Sequence, residues 1–320
     1  IMVGSFIAMI IAGTGLLLLP RATVNGISFF DALFTATSAV CVTGLTTIDV
    51  ATTFTTTGHL IILLLIQLGG IGIMTFTSFF GLMFAGKHLS QNKMLIKDLI
   101  DPENSVSQIF TTLRNIILIT LSVELLGALF IYEAMGNYTL YGAFVAIFHS
   151  VSAFCNAGFS TLETGLFHPD FRNNYLLLNS LSWLIIFGGI GFPILFNIWQ
   201  WIKQQIVRLL DRIFHRNQRI FDYKARTLTS NTVIAVIMTI ILVVGGTIIF
   251  FMTEYNNVLR DDTSLWGKLS TSFFLATVPR TAGFASFNMG SLTSISVVIM
   301  IIYMWIGGSP MSTAGGIKTT

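Results

Sequence analysis

A ten-residue segment centred on a glycine occurs three times in this chain and constrains its fold more than any other feature. The copies align without a gap around Gly44, Gly158 and Gly283, so they recur at a spacing of about 115 to 125 residues. Each copy follows a moderately apolar segment and precedes a run of small polar residues. One local pattern in three similar settings predicts three copies of the same structural unit. The copies are SAVCVTGLTT at 38–47, SAFCNAGFST at 152–161 and TVPRTAGFAS at 277–286.

The chain also carries six apolar runs long enough, or nearly so, to cross a lipid bilayer, which takes roughly 20 residues as a helix. Its 320 residues are 53% hydrophobic and only 10% charged, and the mean hydropathy is +0.80. These values exclude an ordinary soluble protein and predict an integral membrane protein. The runs are 1–19, 60–85, 109–131, 175–201, 233–252 and 292–307.

A shorter apolar segment directly precedes each motif glycine. These segments hold 14 to 16 residues, too few to span the bilayer, so each is predicted to enter the membrane and turn back as a re-entrant helix. Non-helical backbone at membrane depth is tolerated only where protein buries it or where it lines a watery cavity. We therefore predict an all-α integral membrane fold of repeated units: membrane helix, re-entrant pore helix, glycine turn, membrane helix. The short segments are 28–41, 140–155 and 264–279; Ser28, with Asp31 three positions on, is predicted to cap the first of them. Glycine pairs follow at 69–70, 188–189 and 307–308, and they permit close helix approach or a local break.

A re-entrant helix and a glycine turn together suit the binding of an alkali cation. The carboxyl end of the helix carries roughly half a negative charge from the macrodipole, and backbone carbonyls can replace the hydration shell of the ion. Glycine leaves φ free and places no Cβ on the axis. The sequence therefore predicts an ion filter made mainly of main-chain oxygens. Its predicted residues are Val42, Thr43, Gly44, Asn156, Ala157, Gly158, Thr281, Ala282 and Gly283.

The charged residues predict which side of the membrane each connection faces. Basic residues cluster between the second and third runs and between the fourth and fifth, which places these connections in the cytoplasm by the positive-inside rule. The connections that hold the three motifs are acidic and are predicted to face outward. A solvated loop or a docking site for a regulatory partner explains the basic residues better than nucleic-acid binding does. The basic residues are Lys87, Lys93, Lys97, Lys203, Arg208, Arg212, Arg216, Arg219, Lys224 and Arg226.

The segments VTGL, NAGFS and RTAGF, the glycine pairs and the terminal GGSPMSTAGGIKTT resemble the Trk/Ktr/HKT superfamily of potassium translocation subunits, of the bacterial TrkH/KtrB type. The resemblance covers essentially the whole chain. It implies four repeats around one central pore, with potassium bound at one filter glycine per repeat. Three of the four are present, at Gly44, Gly158 and Gly283, and the fourth repeat is expected beyond residue 320. Glycine rather than serine at Gly44 resembles members that select potassium over sodium.

The same resemblance implies the partners and location of the protein. A homodimer with one pore per subunit is expected in the cell (inner) membrane, bound to a cytoplasmic nucleotide-binding regulatory ring of the RCK type. Potassium is the expected ion, sodium is the alternative, and no covalent cofactor is expected.

With only two cysteines, Cys41 and Cys155, the chain offers no disulfide framework, and both thiols are predicted to be buried.

The resemblance also implies an intramembrane gating loop that interrupts the second helix of the third repeat. Its residues are Gly307, Gly308, Ser309, Ser312, Thr313, Gly315, Gly316 and Lys318. A stretch so rich in glycine, serine and threonine sustains a helix poorly.

The predicted boundaries are 1–86 for repeat 1, 87–108 for a cytoplasmic linker, 109–202 for repeat 2, 203–228 for a basic cytoplasmic linker and 229–320 for repeat 3.

Four titratable side chains in apolar surroundings have both a structural and a functional interpretation. We predict that Arg280 turns away from the ion axis and braces the filter through a carboxylate or carbonyls. Lys318 is either a gating charge or an ordinary anchor at the inner face. For Glu124, inside a membrane run, a hydrogen bond to a neighbouring helix is favoured over a proton relay. For His149 a buried hydrogen bond is favoured over a ligand role.

Two classes of function remain after this comparison of residues. The leading prediction is potassium uptake through the filter, driven by the membrane potential and gated by the glycine-rich loop. The alternative is a secondary transporter coupled to sodium or protons, for which glycine-broken helices are also typical. An enzyme is not predicted, because the apolar runs contain no aspartate pair, Ser/His arrangement or HExxH motif.

Overall fold

The computed structural model describes residues 2–88, 102–163, 165–213, 230–260, 262, 264–310 and 312–319. Helices dominate this part of the chain, where the only extended pairing is two isolated bridges, Thr23 with Phe54 and Ile306 with Ile317. The predicted linkers 87–108 and 203–228 lie partly outside the described residues, together with most of their basic side chains. The helices are α1 (Met2–Leu17), α2 (Phe29–Val40), α3 (Val50–Thr53), α4 (Thr56–His88), α5 (Pro102–Met135), α6 (Leu140–Phe154), α7 (Pro169–Arg172), α8 (Tyr175–Ile190), α9 (Phe192–Ile213), α10 (Ser230–Glu254), α11 (Leu265–Thr277) and α12 (Ser294–Trp305).

The helices pack as three similar units. In the first, the short helix α2 contacts both α1 and α4, which also contact each other; in the second, α6 contacts both α5 and α8. In the third, α10 packs against both the short helix α11 and α12. Helix α4 joins the first unit to the second through α5 and α6, and α8 joins the second to the third through α10 and α11. This is the predicted repeat of helix, short helix, helix.

Each short helix begins at a hydroxyl side chain that caps its first turn. The Ser28 hydroxyl accepts from the backbone N–H of Asp31, that of Thr139 from Gly142, and that of Ser264 from Gly267. Such a cap satisfies one of the free N–H groups of the first turn. The serine at position 28 was predicted as an N-cap, and the three caps give the three helices a common starting geometry.

Three helices are long and apolar enough to cross a membrane within the described residues, at Thr56–Thr75, Leu113–Met135 and Thr232–Glu254. The run 175–201, predicted as one span, instead bends by 103° between α8 and α9. The bend follows from Gly191, whose φ of 88° is left-handed and ends the helix. The first and sixth runs form shorter apolar helices, Val3–Leu17 and Ser294–Trp305.

In the first two units, the paired glycines let the second helix approach the end of the short helix. A Cβ at Gly69 would overlap the carbonyl oxygen of Val40, and a Cβ at Gly188 would overlap that of Phe154. Val40 and Phe154 are the last residues of α2 and α6. Close approach, one of the two roles predicted for these glycines, therefore fixes the short helices where their carboxyl ends meet the glycine turns.

Large apolar side chains cover the outside of the bundle. On α10, residues Ile237, Ile241, Val244 and Ile248 are each at least half exposed, and comparable residues lie along α1, α5 and α12. A soluble protein rarely exposes so large an apolar area, whereas lipid chains solvate it without cost. The molecule is an all-α integral membrane protein.

Candidate cation-binding site

The three glycine motifs form three turns of the same backbone geometry. In each turn the first and third residues have positive φ: 54° and 79° in turn 1, 58° and 73° in turn 2, and 68° and 76° in turn 3. The first residues are the only described non-glycine residues with positive φ. Left-handed backbone is costly for valine and threonine, and such strain concentrates at functional sites. Turn 1 is Val42, Thr43 and Gly44; turn 2 is Asn156, Ala157 and Gly158; turn 3 is Thr281, Ala282 and Gly283.

The three turns, far apart in sequence, touch one another. A Cβ at Gly44 would overlap the carbonyl oxygen of Ala157, and a Cβ at Gly158 would lie 2.7 Å from the carbonyl oxygen of Ala282. The Ala157 oxygen is also 3.8 Å from the Cβ position of Gly283. This oxygen therefore lies between turns 1 and 3. Gly44 and Gly158 are required both by their positive φ and by the neighbouring carbonyl oxygen, and Gly283 by its positive φ.

The middle residue of each turn directs its N–H back to its own short helix. Thr43 donates to the carbonyl oxygen of Ser38 at 2.8 Å, and Ala157 donates to that of Ser152 at 2.7 Å. In turn 3 Ala282 donates to Val278 at 3.0 Å, one residue nearer in sequence. These three N–H groups are therefore engaged within their own repeats and do not point into the space where the turns meet.

Two side chains of α6 hold the residues that follow turn 2. The Ser152 hydroxyl donates to the carbonyl oxygen of Phe159 at 2.8 Å. The buried His149 contacts the carbonyl oxygen of Val145 through Nδ1 at 2.8 Å and the Ser160 hydroxyl through Nε2 at 2.9 Å. Since a carbonyl oxygen can only accept, Nδ1 carries the proton and Nε2 accepts from Ser160. His149 thus has the buried hydrogen bonds predicted for it.

Glu124 of α5 lies behind turn 2 and is 4% exposed. Its Oε2 accepts from Nε2 of Gln67 on α4 at 3.0 Å, and the Cys155 thiol lies 3.9 Å from Oε1. The bond to a neighbouring helix is the role that the sequence favoured. Cys155 is buried as predicted, whereas the prediction of a buried thiol is wrong for Cys41, which is exposed at the end of α2.

We predict that Glu124→Leu lowers the free energy of unfolding by about 1–3 kcal/mol, because the buried amide of Gln67 loses its acceptor. Glu124→Gln keeps an acceptor oxygen at the same place and should change stability much less. Thermal unfolding of both variants in detergent checks this result. Equal destabilisation by leucine and glutamine would show that the carboxylate charge, and not the hydrogen bond, is what matters.

Residues 307–310 and 312–319 belong to a folded loop, called the loop 307–319, where the helix α12 stops. The loop closes on itself through bonds from Gly307 N to the oxygen of Ile317 at 3.0 Å and from Gly308 N to that of Gly315 at 3.2 Å. A Cβ at Gly307 would overlap the Gly315 oxygen, so this closure requires glycine. The non-helical geometry predicted for this stretch is present, and Gly307 lies at its base.

The loop lies directly against two of the turns. The Thr313 hydroxyl donates to the carbonyl oxygen of Phe154 at 3.1 Å and accepts from Asn156 Nδ2 at 2.9 Å. The backbone N–H of Gly315 donates to the Thr281 hydroxyl at 3.1 Å. The loop is also held to α8, where Ser309 N donates to the oxygen of Gly189 at 2.9 Å.

Arg280 and Lys318 both hold this loop through its backbone. Arg280 is 4% exposed and donates from Nη2 to the carbonyl oxygen of Gly307 at 3.5 Å, while its Nε has no partner. No ion pair to Arg280 exists within the described residues, so of the two predicted partners the structure shows a carbonyl. Lys318 donates from Nζ to the oxygen of Ala314 at 2.6 Å. Ser312 donates to Ser309, and Gly316, with a φ of 73°, packs on Gly307.

Two cavities adjoin the turns. The first, of ≈ 390 Å³, is lined by Gly44 and Gly158 together with Asp49 and other residues that follow the turns. The second, of ≈ 810 Å³, is lined by Thr43, Gly283 and several residues of the loop. The second cavity thus brings residues of turns 1 and 3 together with residues of the loop.

Comparison with known proteins identifies the family. The family model TrkH, described as a cation transport protein, matches residues 1–320. This chain belongs to the TrkH family. The Ktr system potassium uptake protein B of Vibrio alginolyticus is 34% identical over 322 residues, which cover 99% of this chain and 65% of the relative. The potassium/sodium uptake protein NtpJ of Enterococcus hirae is also 34% identical, over 98% of this chain and 65% of that protein.

A solved structure has the same fold. The potassium transporter TrkH of Vibrio parahaemolyticus matches with a TM-score of 0.70 and 20% identity, over 98% of this chain and 57% of that one. The predicted family and the predicted all-α membrane fold are both confirmed. The TrkH-family chain described here spans about two thirds of the length of the curated relatives named above.

One feature of the TrkH-family site was missed by sequence reasoning, which treated Asp31 only as part of a helix cap. Its carboxylate accepts from the Thr47 hydroxyl at 2.6 Å as well as from Ser28 at 2.7 Å. Thr47 lies three residues beyond Gly44, so Asp31 ties the segment after turn 1 to the start of α2. The hydrogen bonds from Thr47 and Ser28 lower the pKa of this exposed carboxyl below its ordinary value.

We therefore expect Asp31→Asn to lower the melting temperature at neutral pH. A depressed carboxyl pKa stabilises the fold above the ordinary pKa, and this contribution is lost as pH falls through the folded value, below about pH 4. The difference in melting temperature between wild type and variant should accordingly shrink toward pH 3. A difference that stays constant from pH 7 to pH 3 would contradict a role for the ionised carboxylate.

Proposed function

We propose that this chain forms the ion pathway of a protein that takes up potassium, with the three turns as its selectivity filter. The observation that carries this proposal is the meeting of the turns, which brings the Ala157 carbonyl oxygen between Gly44 and Gly283. Carbonyl oxygens at such a junction can replace water around an alkali ion. The carboxyl ends of α2, α6 and α11 precede the turns and add their partial negative charge.

Potassium is the ion we propose for this filter. The Vibrio alginolyticus relative is named a potassium uptake protein, and the Enterococcus hirae relative is named a potassium/sodium uptake protein. Glycine at position 44 keeps turn 1 in the same backbone geometry as turns 2 and 3, so the filter can present equivalent oxygens from each turn. Sodium remains the second ion to be measured in every experiment.

The loop 307–319 is proposed as the gate. It lines the second cavity together with residues of turns 1 and 3, and its hydrogen bonds to Phe154 and Thr281 hold it there. Loop residues that occupy the path of the ion must move before the ion passes. Since the loop is non-helical and rich in glycine, it can rearrange without unfolding a helix.

We further propose that the turns face the outside of the cell membrane and that the basic linkers face the cytoplasm, as the positive-inside rule predicts. Uptake then follows the membrane potential, which supplies about 2.3 kcal/mol per charge for each 100 mV. A homodimer and a cytoplasmic nucleotide-binding ring of the RCK type are proposed partners. The basic residues between α9 and α10 support docking on the cytoplasmic face.

The proposal is tested with the full-length protein purified into liposomes. Potassium uptake should be saturable and should respond to an imposed membrane potential in the absence of any sodium or proton gradient. A strict requirement for a second ion gradient would favour the coupled transporter over the filter, and no potassium flux under any condition would reject both.

A further inference from the structure

The first residue of each turn occupies an equivalent place, yet only two of the three can bond the loop 307–319. Asn156 and Thr281 carry polar side chains, and both contact the loop, through Thr313 and Gly315 respectively. The equivalent residue of turn 1 is Val42, which has no donor or acceptor in its side chain. The hydrogen bond to the loop therefore depends on the side chain at the first position of turns 2 and 3, because all three turns share the same backbone geometry.

The bond between Asn156 and Thr313 is buried and has a defined direction. Asn156 is 1% exposed, and the Thr313 hydroxyl uses its proton on the Phe154 oxygen, so it must accept from Nδ2 of Asn156. The Asn156 Oδ1 has no partner. Asparagine also tolerates the left-handed φ of 58° at this position better than most residues. Asn156 thus meets two needs, because it adopts the left-handed backbone of the turn and its side chain holds the loop.

The second contact repeats this arrangement with different groups. The Thr281 hydroxyl accepts from the backbone N–H of Gly315, and Thr281 has a φ of 68°. Asn156 and Thr281 each carry the side chain that binds the loop. The same residue also contributes its own peptide group to the turn. A rotation about that backbone which releases the loop also moves the adjoining filter carbonyls.

We propose that Asn156 and Thr281 are latch residues that couple the loop to the filter, so that release of the loop loosens ion selection. The proposal rests on the proposed function of the turns and the loop. While the loop is bound, Asn156 and Thr281 are held by their short helices on one side and by the loop on the other, and the filter is rigid. With the loop released, the Asn156 amide and the Thr281 hydroxyl lose their partners, and turns 2 and 3 relax together.

The test uses Thr313→Val and Thr281→Val in the full-length protein in liposomes, with potassium and sodium fluxes measured separately. Valine removes the hydroxyl at nearly constant volume, and Val42 shows that valine is accommodated at the first position of a turn. Thr281→Val removes one hydrogen bond and should raise potassium flux roughly five-fold, while Thr313→Val removes two and should raise it at least as much. Both variants should lower the ratio of potassium to sodium flux. Asn156→Gly, which retains the left-handed backbone, should act in the same way and should not add to Thr313→Val.

Two controls separate the latch from a general loss of stability. Thr313→Ser retains the hydroxyl and should restore the wild-type flux ratio. Asn179→Ala removes a bond of the same kind, from Nδ2 to the Ser270 hydroxyl at 3.0 Å between α8 and α11, away from the loop. It should leave the flux ratio unchanged.

Higher potassium flux with a lower ratio of potassium to sodium flux in both valine variants supports the coupling of the loop to the filter. Higher flux at an unchanged ratio would show a gate that acts independently of the filter, and unchanged or reduced flux would show no latch; either result overturns the proposal. If Asn156→Gly fails to fold, Thr281→Val still tests the second latch. An absence of potassium flux in the wild-type protein would reject the proposed function instead.

Discussion

Replacing Gly44 by serine in the full-length protein should lower the ratio of potassium to sodium flux by about ten-fold or more. The φ of 79° at this position costs a residue with a Cβ about 1–2 kcal/mol. The new Cβ would also overlap the carbonyl oxygen of Ala157, so this oxygen must move away from the junction of the turns. Potassium then loses one of the oxygens that replace its hydration shell, so the filter favours potassium over sodium less strongly.

Gly26→Ser is the matched control for this experiment. Gly26 has a φ of 75°, nearly that of Gly44, but a Cβ there meets nothing within 4 Å. It therefore reproduces the backbone strain without displacing a filter oxygen, and the flux ratio should stay at the wild-type value. Isotope fluxes in liposomes measure both variants. If Gly44→Ser leaves the ratio of potassium to sodium flux at the wild-type value, turn 1 is not part of the filter.

Deleting residues 309–314 from the loop should raise potassium flux roughly ten-fold, which corresponds to about 1.4 kcal/mol of lost closed-state stability. The deletion removes the bonds of Ser309 to Gly189 and of Thr313 to Phe154 and Asn156. Each such bond contributes about 0.5–1.5 kcal/mol, so their combined loss suffices for this change. In the proposed mechanism, the loop then no longer obstructs the ion at the second cavity.

A second variant distinguishes the lost contacts from the shorter chain. Replacing residues 309–314 by six glycine and serine residues keeps the length but removes the Thr313 side chain, and flux should again rise. If flux falls or stays constant in both variants, the loop supports the filter and does not gate it. Size-exclusion profiles and thermal unfolding establish that the compared proteins are folded.

The local features of the fold were predictable because short-range sequence determines them. A serine before an acidic residue caps α2, and the apolar segments of 14 to 16 residues give helices that are too short to span the bilayer. The glycines at the third position of each turn were expected where φ is positive. The 103° bend at Gly191 was harder to predict, since a glycine in a helix either packs or breaks it, and only the surrounding helices decide which.

The contacts of the site depend on residues that are far apart in the chain. Asn156 and Thr313 are separated by 157 positions, and no local pattern indicates that one would bond the other. The same holds for Arg280, whose side chain reaches the first residue of the loop where a carboxylate was an equal expectation. Asp31 was predicted to cap a helix, while its bond to Thr47 emerges only from the return of the chain after turn 1.

The sequence by itself determined that this chain lies in a membrane, that it repeats one helical unit three times, and that each unit ends its short helix in a glycine turn. These properties follow from apolar length, periodic recurrence and the conformational freedom of glycine, all of which act locally. The tertiary structure decided that the three turns meet around carbonyl oxygens and that the loop lies against two of them. Such contacts arise when packed helices bring distant residues together, and glycine at Gly69 and Gly188 permits that packing.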